Sequence, residues 1–93
     1  MPLDQKGRNI LKAARYEQVR KDLAKAVAEH IRDRGSAGED FHSIVEKVLR
    51  EDRFKKFFEN LVKHTQRATD LSERDSRSCA SMLVSEQTGR DLG

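Results

Sequence analysis

Apolar residues recur at helical spacing along the first three quarters of the chain. Tyr16, Val19, Leu23, Ala26 and His30 alternate by three and four positions, and Val27 and Ile31 widen the same stripe. This is one side of an amphipathic α-helix. Arg15, Lys21, Asp22, Lys25, Glu29 and Arg32 fall on its flanks and far side, in water. Upstream, Ile10, Leu11, Ala13 and Ala14 suit a helix but lie out of register with the later stripe, which predicts a break or bend within residues 12–17. The helix should end at Arg34-Gly35-Ser36-Ala37-Gly38, where glycine permits the left-handed backbone of a helix C-terminus and Arg32 and Arg34 suit its dipole.

Phe41, Ile44, Val45, Val48 and Leu49 then fill the full i, i+3, i+4, i+7, i+8 template, with Ser36 or Asp40 available as the N-cap. Phe54, Phe57, Phe58, Leu61 and Val62 repeat it, and Thr65, Ala68 and Leu71 continue it more weakly. Glu51-Asp52-Arg53 interrupts the two, which predicts separate helices with Asp52 as N-cap; the alternative is one continuous helix over residues 40–68. Beyond Leu71, serines and glycines dilute the periodicity, and Met82-Leu83-Val84 is the only apolar run. The expectation is a small all-α domain over residues 1–71, a three-helix bundle with helices near 8–34, 40–50 and 53–69, or a four-helix bundle if the first stretch divides. Residues 72–93 are expected to form a flexible, disordered Ser-rich tail, because so few apolar groups do not offset the entropy of ordering it.

Length and charge narrow the picture. A chain of 93 residues fits one small domain. No apolar run approaches the roughly 18 residues that span a bilayer, and Met1–Lys6 lack the apolar stretch of a secretory signal. The single cysteine, Cys79, cannot form an internal disulfide. An intracellular protein, cytoplasmic or nuclear, is expected. The net charge of +3 is unevenly spread: residues 1–34 carry +4, 35–52 carry −3, 53–71 carry +3 and 72–93 carry −1.

Catalytic chemistry finds no support in the sequence. His30, His42, His64 and Cys79 lack the close pairing that zinc sites use, and His42 with Glu46 supplies only two ligands at i, i+4. Cys79 has no base or basic cluster that would activate it beyond Arg77. Glu39-Asp40 and Glu51-Asp52 sit at helix starts, where capping accounts for them, and no Gly-rich phosphate loop occurs. No enzyme, cofactor, metal or small-molecule substrate is expected.

The apolar faces are thin for so short a chain, and small domains of this kind often complete their core on a partner. The first functional expectation is therefore a non-catalytic helical adaptor or accessory subunit, docking a larger protein or a second copy through Phe54, Phe57, Phe58 and Leu61, supported by Tyr16 and Leu23. The alternative is a basic helical DNA- or RNA-binding module with contacts from Arg15, Arg20, Lys21, Lys25, Lys55 and Lys56. No aromatic set interleaves with these cations as base stacking would require. Arg74-Asp75-Ser76-Arg77-Ser78 places Ser76 and Ser78 as candidate phosphorylation sites in the tail.

Overall fold

Helix α1 (Pro2–Ala13) stops where the apolar register shifts, and α2 (Tyr16–Arg34) starts after two intervening residues, in a computed structural model that describes residues 2–35 and 38–92. The expected break is thus present. It turns on Arg15, whose φ of 60° and ψ of 40° are left-handed, a conformation that costs an L-residue about 1–2 kcal/mol. The shift rotates the chain so that Ile10, Leu11 and Ala14 bury on one side of the break and Tyr16, Leu23, Ala26 and Val27 on the other. Gly35 ends α2 at φ 73°, and its N–H donates to the Ile31 carbonyl at 2.8 Å. Ser36 lies outside the described residues. Asp40 caps α3 (Phe41–Leu49) by accepting from the Ser43 N–H at 2.8 Å.

The break at Glu51 also holds, and α4 runs from Asp52 to Thr69. Its N-cap is Glu51 and not Asp52. No side chain caps it, because the Glu51 carboxylate accepts from Arg53 Nε at 2.9 Å instead. Asp70 closes α4 in the left-handed region at φ 61°.

The C-terminal segment departs from the sequence expectation. Instead of a flexible tail, it forms a fifth helix, α5 (Glu73–Leu92), packed against α4, α3 and α2. Ser72 starts it by accepting from the Asp75 N–H at 3.2 Å, and Glu73 and Asp75 suit its N-terminal dipole. The buried face is made of Ser76, Ala80, Leu83, Val84 and Thr88 at i, i+4, i+7, i+8 and i+12, with Ser81 and Ser85 beside them. Small side chains let α5 approach its neighbours closely, and their hydroxyls, that of Ser76 apart, are hydrogen-bonded. Ser85 Oγ donates to the Ser81 carbonyl at 2.9 Å, and Thr88 Oγ1 meets the Tyr16 hydroxyl at 3.2 Å. Where α1 meets this helix the approach is close: a Cβ at Gly7 would stand 2.6 Å from Leu83 Cδ2, so the end of the Leu83 side chain would have to shift.

A single core results, from Ile10 and Leu11 through Leu23, Ile44, Val48, Phe54 and Leu61 to Leu83 and Val84. Among the described residues, Leu71 and Met82 are the only exposed large hydrophobics. Helix α5 packs on α4, α3 and α2, so the C-terminal segment contributes to this core. No described helix is long and apolar enough to cross a membrane.

Candidate nucleic-acid interface

Helix α4 presents Lys56, Asn60, Lys63 and Arg67 at i, i+4, i+7 and i+11, all exposed, while Phe54, Leu61, Val62 and Thr65 point into the core. At 1.5 Å rise per residue this polar stripe is about 17 Å long. Packing of α1 beside it adds a second bank. One concavity is lined by Lys6, Asn9, His64 and Arg67 over Ile10 and Ala13. An adjoining groove of about 560 Å³ lies at the α1–α2 junction, between Arg15 and Gln18 on one side and Lys56, Asn60 and Lys63 on the other, with Val19 and Phe57 among its walls. On the opposite flank of α1, Arg8, Lys12 and Arg20 border a third concavity with Glu17.

Ion pairing divides the surface. Glu39 accepts from Lys47 and lies 3.6 Å from His30, Glu46 is 3.3 Å from His42, and Arg77 holds Glu59 through two bonds of 2.9 and 3.0 Å and Glu73 at 3.2 Å. Among the described residues, none of Lys6, Arg8, Lys12, Arg15, Lys56, Lys63 and Arg67 forms an ion pair. The one described acid on the two α1–α4 concavities is Glu59. The Arg77 hydrogen bonds hold its carboxyl below the usual carboxylate range, and Lys63 and Lys55 add to this.

The residues singled out in the sequence are distributed as follows. Arg15 and Lys56 come together on the groove. Arg20 sits on the far flank of α1, and Lys21 and Lys25 are exposed on α2 away from these concavities. Lys55 and Phe58 line a separate cavity of about 350 Å³ between α3, α4 and α5, together with Glu46, Arg50 and Arg77. Of the apolar anchors, Phe54, Leu61, Leu23 and Tyr16 are buried, so a partner could reach them only by opening the core; Phe57 and Phe58 are half-buried. Ser76 is fully buried and Ser78 exposed. Lys6, Arg8, Lys12, Lys63 and Arg67 belong to the same two basic segments of the sequence but are not among the six contacts expected from it. The i, i+4, i+7, i+11 run from Lys56 was the available signal.

One further arrangement has the residue types of a hydrolytic site. His42 Nδ1 lies 2.9 Å from Ser85 Oγ, and its Nε2 faces Glu46, which also accepts from Ser81 at 3.2 Å. A nucleophile must offer its oxygen to substrate, whereas Ser85 is 8% exposed and donates to the Ser81 carbonyl. The set ties α3 to α5. Cys79 is half-buried, and burial followed by the nearby Glu86 charge pushes its thiol up, away from the reactive thiolate. Among the described residues, no three His, Cys, Asp or Glu side chains are grouped to hold a metal ion. No family model matches the chain, and comparison with curated proteins and with solved structures likewise returns no match.

Proposed function

We propose that the protein is a non-catalytic module that binds the phosphate backbone of nucleic acid along the α1–α4 face. The observation that carries this reading is the gathering of Lys6, Arg15, Lys56, Lys63 and Arg67 on two adjoining concavities, none in an ion pair with a described residue. Held cations without internal partners are available to phosphates, and each contact releases condensed counterions. Docking through an apolar surface has less to recommend it, since four of the six apolar anchors are buried and only Leu71 and Met82 are large exposed hydrophobics among the described residues.

Five phosphate contacts give a slope of log affinity against log salt of about −4.5 for duplex and about −3.5 for single strands. Between 50 and 200 mM salt, affinity should fall about 100- to 500-fold. Fluorescence anisotropy with a labelled oligonucleotide, single-stranded and duplex, measures this. Lys56→Gln with Lys63→Gln should flatten the slope by about 1.4 to 1.8, while Lys21→Gln with Lys25→Gln should leave it unchanged. A less than tenfold salt effect, or a slope indifferent to the groove variant, refutes the proposal. Tighter binding to anionic lipid vesicles or to an acidic protein than to either oligonucleotide assigns the face to those ligands and also refutes it.

A further inference from the structure

The groove at the α1–α2 junction carries more than charge. Phe57 is half-buried on its wall and is stacked on the buried Tyr16, with ring centroids 5.7 Å apart and planes at 29°. Tyr16 in turn is anchored to Thr88 of α5, so the Phe57 ring is supported from the core. Gln18 and Asn60, both exposed, line the same groove, and each amide offers a donor and an acceptor. Arg15, Lys56 and Lys63 surround them. No side chain caps the N-terminus of α2 beside Arg15, so the helix dipole adds to the positive field.

Duplex binding through phosphates has no use for an aromatic wall flanked by amides, because paired bases are already stacked on one another. An unpaired nucleotide has a free π-face and free Watson–Crick edge. A volume of about 560 Å³ lies within the range of pockets that hold small ligands, roughly 300–1,000 Å³. The sequence alone shows no aromatic set among the cations; folding brings one ring to them.

We propose that this groove receives an unpaired nucleotide of a single strand, its base stacked on Phe57 with Gln18 and Asn60 at the base edge, and its flanking phosphates on Arg15, Lys56 and Lys63. This inference rests on the phosphate-binding reading above and deepens it, making single-stranded nucleic acid the preferred form. The cavity between α3, α4 and α5 also carries Arg50, Lys55 and the half-buried Phe58, but it is lined by two carboxylates, Glu46 and Glu59, and its Arg77 is already held by Glu59 and Glu73.

The test compares four probes of equal length at one salt concentration: single-stranded DNA, single-stranded RNA, the duplex, and a single strand whose central nucleotides are abasic. The abasic strand keeps every phosphate and lacks the bases. Loss of base–aromatic stacking should weaken binding about fivefold or more, so the intact single strands should bind at least that much tighter than both the abasic strand and the duplex. Phe57→Leu, with its helical content verified by circular dichroism, should erase the advantage while leaving duplex affinity within twofold. A single strand containing 5-iodouracil should photocrosslink to the tryptic peptide Phe57–Lys63. Equal affinity for abasic and intact strands, or crosslinks confined to other peptides, overturns the inference and leaves the phosphate reading standing. Failure of every probe to bind overturns both.

Discussion

Deleting residues 72–93 tests the core-completing role of α5 most severely. The deletion removes Ala80 and Val84, both at 0% exposure, and Leu83 at 8%. Burying Leu and Val contributes about 1.5–3 kcal/mol each and the alanine methyl about 0.8, so at least roughly 4–7 kcal/mol of burial disappears. The faces of α2, α3 and α4 that α5 covers are exposed as well. A chain of 93 residues has a total stability of about 5–14 kcal/mol at 0.05–0.15 kcal/mol per residue. The truncated protein should therefore be unfolded or molten, with reduced far-UV dichroism, a broad thermal transition and binding of a hydrophobic dye. Val84→Ala in the full chain grades the effect. It should cost about 2 kcal/mol, which is a fall in Tm of roughly 8–16 °C at this size. A truncated protein that melts cooperatively within a few degrees of the full chain would refute the reasoning and restore the flexible tail.

Three other perturbations read individual features. Ser76 Oγ is buried without a hydrogen-bond partner, so Ser76→Ala should be stabilising by up to about 1–3 kcal/mol in urea titration, and a loss of stability would show that the hydroxyl is satisfied in solution. Arg15→Gly removes the left-handed strain of about 1–2 kcal/mol at an entropic cost of about 0.5–1; stability should hold or rise slightly while oligonucleotide affinity falls, and destabilisation by more than 1 kcal/mol would contradict the strain. The folded-state carboxyl of Glu59 lies below its usual value of 4.5, so its contribution is present above about pH 4.5 and is lost as the pH falls through the depressed value. With both side chains of the Glu59–Arg77 pair at least 40% exposed, this is at most about 1 kcal/mol. Arg77→Met should flatten the pH dependence of stability below pH 4.5, and an unchanged acid limb would exclude the pair.

The parts legible in the sequence are those that local chemistry decides. The five apolar positions of α3, the Asp40 cap, the glycine ending at Gly35 and the register shift before Tyr16 all depend on residues within two turns of one another. Helix α5 was not legible as an apolar stripe because its buried face is built largely from Ser, Ala and Thr, with Leu83 and Val84 as its large apolar groups. Hydropathy scores a serine as polar, but one that donates to the carbonyl four residues back, as Ser85 does, packs as a small and nearly neutral group. Ser72 followed three residues later by Asp75 was a readable N-terminal signal that the dilution by serines obscured. The phenylalanines were legible as a helical face, yet nothing local separates core from docking surface. Phe54 is buried, and the packing of α4 against α5 and α1 joins segments far apart in the chain. Basic residues were legible as a composition, whereas the meeting of Arg15 with Lys56 and Lys63 depends on how α1 and the start of α2 pack on α4. The Tyr16–Thr88 contact spans 72 residues and could not have been read locally at all.

The account turns on where a bound strand lies, and an NMR titration of the isotopically labelled protein with a short single-stranded oligonucleotide locates it directly. Backbone amide shifts should move at Lys6, Asn9, Arg15, Gln18, Lys56, Asn60, Lys63 and Arg67, and stay still at Lys21, Lys25, Lys47 and Ser78. Shifts centred instead on Arg50, Lys55 and Ser78, or no shift at low salt, would contradict it.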